Sequence, residues 1–285
     1  MTGVITKGIG GFYYVKAEDG KTYECRARGI FRKNGTKPMI GDRVVIALNG
    51  EQGSVSEILP RKNFLIRPSV SNIDLLVLVS ATKSPEANPY FLDKLLVIAE
   101  RQEISPVLCF NKEDLADGDA LEEIYRSCGY PIIHTSAATG EGVEQLRALI
   151  CGKTAAFAGL SGVGKSSLLT LLTSTELETG AVSERLQRGK HTTRHVELLP
   201  LPEGGFVLDT PGFSSLVPEN FPPEELSWCF PEMRDAGECR FRGCSHISEP
   251  DCAVKKKRSE GGISESRYQS YCKLYSALKE HKDWD

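Results

Sequence analysis

No apolar run in this 285-residue sequence reaches the roughly 18 residues that a membrane span needs. The opening stretch, MTGVITKGIGG, lacks the apolar core of a secretory signal peptide, so a cytoplasmic protein that meets no membrane is expected. Without an export signal the nine cysteines do not read as a disulfide framework; cytosolic clusters more often bind metal or sit in the core. A strong net charge is also missing. The formal value is −3, but it is unevenly spread. Residues 1–68 carry 12 Lys and Arg against 6 Asp and Glu, a net +6; residues 69–220 carry 12 against 20, a net −8; residues 221–285 carry 11 against 12, a net −1. A basic N-terminal segment joined to an acidic middle implies that the two ends of the chain meet different partners.

What is present divides along the chain. Residues 1–68 show short strand-like runs with glycine turns: a hairpin is predicted around Glu18-Asp19-Gly20, and a second carries an Asn49-Gly50 signal. Strands at this spacing predict a small barrel of the oligonucleotide-binding type. Arg26, Arg28, Arg32, Lys33, Lys37 and Arg43 either line its binding face or form an ordinary solvated basic surface. From residue 69 to 220, runs apolar on both faces (NIDLLVLVS, ISPVLCF, PIIHTS, AAFAGL, GFVLDT) alternate with helical periods such as Leu95/Ala99, Leu121/Ile124/Tyr125/Cys128 and Val143/Leu146/Ile150. That alternation predicts a doubly wound α/β sheet. Residues 221–285 hold a Cys/His-rich segment and a terminal helix, whose Tyr268, Tyr271, Tyr275 and Leu278 make a packing stripe rather than a base-stacking platform.

GLSGVGKSS at 159–167 has the spacing of a phosphate loop: Gly159, Leu160, Ser161, Gly162, Val163 and Gly164, then Lys165, Ser166 and Ser167 opening a helix. Small residues let backbone N–H groups converge on phosphate at a helix N-terminus, with Lys165 reaching the β/γ-phosphates and the Ser166 hydroxyl on Mg²⁺. DTPG at 209–212 closes the last buried strand, placing Asp209 to hold Mg²⁺ through water and the Gly212 N–H at the γ-phosphate. The intervening segment, about twenty residues without a core pattern, is long enough to be functional, and Thr192 or Thr193 would complete the Mg²⁺ shell.

FNKED at 110–114 adds a base reader. The Asp114 carboxylate can accept from N1–H and N2–H₂ of guanine, a pair that adenine does not offer. Asn111 would tie this loop to the phosphate loop, the Lys112 stem would cover the ring, and Glu113 travels with the motif. SAATG at 136–140 supplies Ser136 and the Ala137 N–H for guanine O6. The base reader precedes the phosphate loop by about fifty residues, the reverse of the usual order. The order is a rotation, and because domain termini lie close together a circular permutation preserves the fold. The sheet would then begin in its middle, near Ile73, and end on the Asp209 strand.

Cys239, Cys244, His246 and Cys252 form C-x₄-C-x-H-x₅-C, a four-ligand set suited to one structural Zn²⁺; Cys229 is the competing ligand. Cys109, Cys128 and Cys151 lie in apolar patterns and read as core. KKKR at 255–258 is a solvated run, or a contact to RNA phosphate beside the metal.

Together NKED, GLSGVGKSS, GKHTT, DTPGF and CRFRGCSHISEPDC resemble the RsgA (YjeQ) family of small-ribosomal-subunit biogenesis GTPases, over essentially the whole chain. The resemblance implies an N-terminal barrel that binds rRNA, a circularly permuted P-loop GTPase domain and a C-terminal helical zinc module. It also implies GTP hydrolysis during late maturation of the small (30S) subunit, stimulated by that particle; a monomer is expected. Phe213 stands where Ras-like enzymes carry a water-orienting Gln. His191 is the nearest polar substitute, and the resemblance points to it, although it also reads as an ordinary loop residue. The expected catalytic set is thus Lys165, Thr193 and His191. Two rivals remain: a GTP-dependent RNA-binding switch with negligible hydrolysis, and an ATP-using enzyme, which Asp114 disfavours.

Overall fold

The computed structural model describes residues 1–29, 31, 36–49, 52–66, 68–173, 196–209 and 221–282, without the side chains of 281 and 282. The chain forms two compact units, Met1–Val77 with Val143–Ala158 and Lys165–Phe213, and Leu78–Gly142 with Gly159–Gly164 and Ser214–Asp285.

In the first unit, β1 (Thr2–Ile9), β2 (Phe12–Ala17), β3 (Thr22–Ala27), β4 (Arg43–Asn49) and β5 (Gln52–Ile58) close a barrel in the order β1-β2-β3-β5-β4. Its ladders are antiparallel except β3–β5, which is parallel. This is the small barrel expected from the strand spacing, and it has five strands. The period-2 alternation sends Ile5, Val15, Cys25, Val44, Ile46 and Val55 into its core. The Glu18-Asp19-Gly20 turn joins β2 and β3, with the Gly20 N–H donating to Ala17. Asn49 pairs with Gln52 across the second hairpin; Gly50, like Arg32 and Lys33, lies outside the described residues. Fully buried Asp42 fastens the barrel to the next segment. It accepts from Arg61 Nε at 2.7 Å and Ser71 Oγ at 2.6 Å, so no charge is buried unpaired. Ser71 belongs to β7 (Val70–Ser71), which pairs with β6 (Phe64–Leu65).

The strands β8 (Leu75–Ala81), β9 (Ser105–Asn111), β10 (Ile132–Thr135), β11 (Thr154–Ala158), β12 (Leu199–Pro200) and β13 (Phe206–Asp209) form a six-stranded sheet in the order β10-β9-β8-β11-β13-β12. β8 is buried along its whole length, as its apolar run Leu75–Val79 requires. The first strand of this sheet in the chain therefore lies third in space, and the strand ending at Asp209 comes last. That is the permuted topology. β12 was not anticipated: it is two residues long, runs antiparallel to β13 and contains Pro200, which suits an edge.

Among the described residues the α-helices are α1 (Pro89–Arg101), α2 (Asp119–Tyr125), α3 (Val143–Ile150), α4 (Lys165–Thr173), α5 (Pro231–Arg234), α6 (Ala253–Ser259) and α7 (Glu265–Lys282). Asn88 caps α1 by accepting from the Phe91 N–H at 3.0 Å, with Pro89 at the first helical position. In the second unit Val97 of α1 shares a core with Leu226, Phe230, Met233, Tyr271 and Leu278, so the aromatic stripe of α7 is packing, as expected. Cys109 and Cys128 are buried, but Cys151 is exposed. It follows the last residue of α3, one position out of the Val143/Leu146/Ile150 register. The KKKR run is not simply solvated: Lys255 and Lys257 donate to the carbonyls of Ile247 and Asp235, and the Arg258 guanidinium lies 4.2 Å from the Tyr268 ring centroid.

One buried charge cluster fastens α7. Arg267, fully buried, bonds Asp93 Oδ1 of α1 at 2.6 Å and Glu232 Oε1 of α5 at 2.7 Å, and its guanidinium lies 4.3 Å from the Phe230 ring centroid. Removing one partner of such a set leaves carboxylates buried without their counter-charge. Arg267→Ala should therefore lower the unfolding free energy by about 3–5 kcal/mol. Denaturant melts of the two proteins would measure it, and a midpoint shift equal to that of an exposed Arg→Ala control would sink the account.

Candidate nucleotide and metal sites

The candidate base-reading loops grow from the ends of two parallel neighbours, β9 and β10. Buried Asn111 closes β9 and uses both the nitrogen and the oxygen of its amide. Nδ2 donates to the Val163 carbonyl at 2.8 Å, while Oδ1 accepts from the Ala137 N–H and from Thr135 Oγ1, each at 3.1 Å. One side chain thus ties the 111–114 loop to the 136–140 loop and to the phosphate loop. Ser136, itself buried, donates to Asp114 Oδ1 at 2.5 Å, aligning a carboxylate that is otherwise exposed. Lys112 sits at φ 71°, its carbonyl accepting from Thr82 Oγ1 at 2.8 Å and its ammonium donating to Ser84. Glu113 faces inward to His134 and Gly118.

In the phosphate loop, Val163 is buried, whereas Ser161 and Gly162 are open to solvent. Gly164 has φ +99°, and a Cβ there would stand 2.2 Å from Asn111 Nδ2. Only glycine allows the amide to lie against this backbone. Within the other unit, α4 begins at Lys165, with the Ser166 and Ser167 side chains exposed. Burial lowers the Lys165 pKa, while the negative charge of Asp209 at the end of β13 opposes that shift. His191, Thr192, Thr193, Gly212 and Phe213 lie outside the described residues.

Cys239, Cys244, His246 and Cys252 come together, their ligand atoms all within 4.8 Å of one another. Cys229 is buried in the helical core instead. Bond lengths of about 2.3 Å to sulfur and 2.0–2.1 Å to nitrogen at a tetrahedral centre imply S···S near 3.8 Å and S···N near 3.6 Å. The Cys239–Cys252 sulfurs are 3.8 Å apart, and His246 Nδ1 lies 3.5 and 3.4 Å from them. Burial keeps His246 toward its neutral, ligating form. The donor set therefore fits one tetrahedral zinc ion with no open position.

His134, Thr135, Glu122 and Thr82 were not singled out in the sequence, although they hydrogen-bond to residues of the 111–114 loop or to their partners. A histidine in an apolar strand carries no signal by itself, and its partner Glu122 lies on a different element.

Among the described residues no helix is long and apolar enough to cross a membrane. A family model described as RsgA GTPase matches residues 58–218, and one described as RsgA N-terminal domain matches residues 2–55. The protein named small ribosomal subunit biogenesis GTPase RsgA of Agathobacter rectalis is 46% identical, with 100% of both chains covered. That of Caldanaerobacter subterraneus subsp. tengcongensis is 49% identical over 98% of this chain and 96% of its own. The crystal structure of YjeQ from Thermotoga maritima superposes with a TM-score of 0.84 at 39% identity, covering 97% of this chain and 98% of the other. YloQ, described as a circularly permuted GTPase, gives 0.81 at 38% identity over 98% and 95%. Two-domain family matches, full-length relatives and a shared permuted topology lead to one conclusion: the chain belongs to the RsgA GTPase family.

Proposed function

We propose that this GTP hydrolase works on the small (30S) ribosomal subunit during its late maturation and that the particle stimulates hydrolysis. The observation that carries the nucleotide reading is Asn111, whose amide joins both base-reading loops to the phosphate loop. In this reading residues 1–68 contact rRNA, 69–220 hold GTP, and 221–285 form the zinc module, in a cytoplasmic monomer. Support for an RNA face comes from a groove of about 690 Å³ on the barrel, lined by Phe12, Tyr13, Phe31, Arg28 and Lys37. Arg26 stacks 4.6 Å from the centroid of Phe12. Aromatic faces among cations suit single-stranded backbone and bases.

In the proposed site the backbone N–H groups of 162–167 bind the phosphates, Lys165 spreads its charge over the β/γ bridge, and Asp114 with the Ala137 N–H fixes guanine. Ser166 and Thr193, with Asp209 through water, would hold Mg²⁺, which would supply charge neutralisation at the phosphates. His191 orients the attacking water, because Phe213 cannot hydrogen-bond.

The test is multiple-turnover phosphate release with and without 30S particles. Strong stimulation is expected; GTP binding without turnover under either condition would favour the switch reading instead. A positioned orienting group contributes about 10²–10⁴-fold, so His191→Ala should lose that much particle-stimulated turnover while keeping GTP affinity. Single-turnover hydrolysis at saturating 30S checks it, and a wild-type rate would move the role to another group.

A further inference from the structure

Behind the base-reading loop lies a side-chain cluster that the nucleotide site does not use directly. His134, on β10, has both ring nitrogens on carboxylates: Nδ1 is 2.6 Å from Glu113 Oε1, and Nε2 is 2.9 Å from Glu122 Oε2. A neutral imidazole carries one N–H, and an ionised carboxylate can only accept. Both contacts are satisfied together only when the ring is protonated. The cluster is closely built. The Gly118 N–H donates to Glu113 Oε2 at 3.2 Å, and a Cβ on Gly118 would stand 2.5 Å from Glu113 Oε1 and 2.8 Å from His134 Nδ1. The Phe110 ring meets the imidazole in a T-shaped contact at 5.6 Å.

Its place in the chain gives the cluster a consequence. Glu113 stands between Lys112 and Asp114, so fixing its carboxylate fixes the backbone that presents the guanine reader. His134 is two residues before Ser136, whose hydroxyl holds Asp114. Glu122 comes from α2, a separate element, so the imidazolium pins the loop to a helix.

We infer that His134 is a positioning residue for base recognition: as an imidazolium it clamps Glu113 and Glu122 together, holds the 111–114 loop in its guanine-reading shape, and makes guanine-nucleotide affinity fall as it loses its proton. This rests on the guanine-site reading above.

The charged groups facing the ring are Glu113 from the loop after β9 and Glu122 from α2; Arg126 approaches the latter carboxylate at 3.9 Å. Burial lowers the His134 pKa, but the two carboxylate bonds outweigh it and the net shift is upward. The sign follows. The clamp is complete below the ordinary histidine value of about 6.5 and is lost as pH rises through the raised folded value.

The experiment titrates a fluorescent GDP analogue onto the full-length protein from pH 6 to 9, with an ADP analogue as competitor, for wild type, His134→Gln and Glu122→Gln. Reading the wild-type/variant affinity ratio at each pH cancels the ionisation of the nucleotide itself. His134→Gln should bind about tenfold more weakly at pH 6, the order expected for losing a charge-assisted hydrogen bond, with the ratio closing toward pH 9. Glu122→Gln removes one stabilising carboxylate and should move the midpoint of the pH dependence downward. Parallel wild-type and His134→Gln curves, or an unmoved midpoint in Glu122→Gln, would overturn the clamp. A wild type without guanine preference over adenine would overturn the site reading beneath it.

Discussion

Removing zinc should unfold the segment from Cys239 to Cys252 while leaving guanine-nucleotide binding in place. Between Gly237 and Cys252 the chain has no helix or strand. It is held by turns, by Glu249 accepting from the Ser245 N–H and hydroxyl at 2.8 and 2.9 Å, and by Tyr268 and Tyr271 donating to the carbonyls of His246 and Ser245 at 2.7 and 2.8 Å. Such contacts cannot offset the ordering entropy of a stretch that buries little apolar surface. A structural zinc is worth on the order of 10 kcal/mol in small modules near neutral pH, comparable to the whole stability of an ordinary domain. Burial, with the neighbouring Cys252 and Cys239, pushes the Cys244 thiol up to about 12, and metal binding would release that proton. Chelation and Cys244→Ser should both make this segment protease-sensitive, and purified protein should carry one zinc. Absence of zinc on metal analysis, or unchanged protease resistance after chelation, would refute it.

How much of this was legible in the sequence depends on how local each signal is. The Cys/His cluster was readable because its four residues sit within fourteen positions, and spacing alone constrains where such side chains can go. The sheet was readable from runs apolar on both faces, and the permutation from motif order. The Asp42 and Arg267 clusters were not. Arg267 meets Asp93 from 174 residues away, and nothing about an Arg in a polar helix distinguishes a solvated cation from a buried one. Cys151 failed for the opposite reason: its apolar neighbours belong to the face of α3, and a residue one step past a helix end can leave that face. β12 was missed because two residues ending in proline carry no periodicity.

Asp114→Asn should exchange guanine for xanthine as the preferred base. The frame around Asp114 is made of the protein's own hydrogen bonds. Asn111 bonds Val163, Thr135 and Ala137, Ser136 orients the Asp114 carboxylate, and the Glu113 N–H donates to Thr135 at 3.2 Å. A site rigid in this way cannot relax when hydrogen-bond partners are exchanged, so a mismatched edge leaves polar groups facing each other unpaired. In the proposed site the aspartate accepts from N1–H and N2–H₂ of guanine. An asparagine offers one carbonyl to N1–H and one N–H₂ that confronts the guanine N2–H₂, donor against donor. Xanthine carries a carbonyl at that position and restores the match. Sites that read a base or side chain by hydrogen bonds reject the wrong partner by about 10⁴–10⁵-fold, so the GTP/XTP preference should swing by roughly that factor. Because the isosteric change leaves the Ser136 hydroxyl an oxygen to bond and does not touch Asn111, the phosphate loop and Lys165 should be undisturbed and XTP turnover should be retained. Competition of GTP, XTP and ATP for the same site measures all three affinities at once. An Asp114→Asn protein that keeps the wild-type GTP/XTP ratio would remove Asp114 from the base, and with it the reason for assigning guanine rather than adenine to this chain.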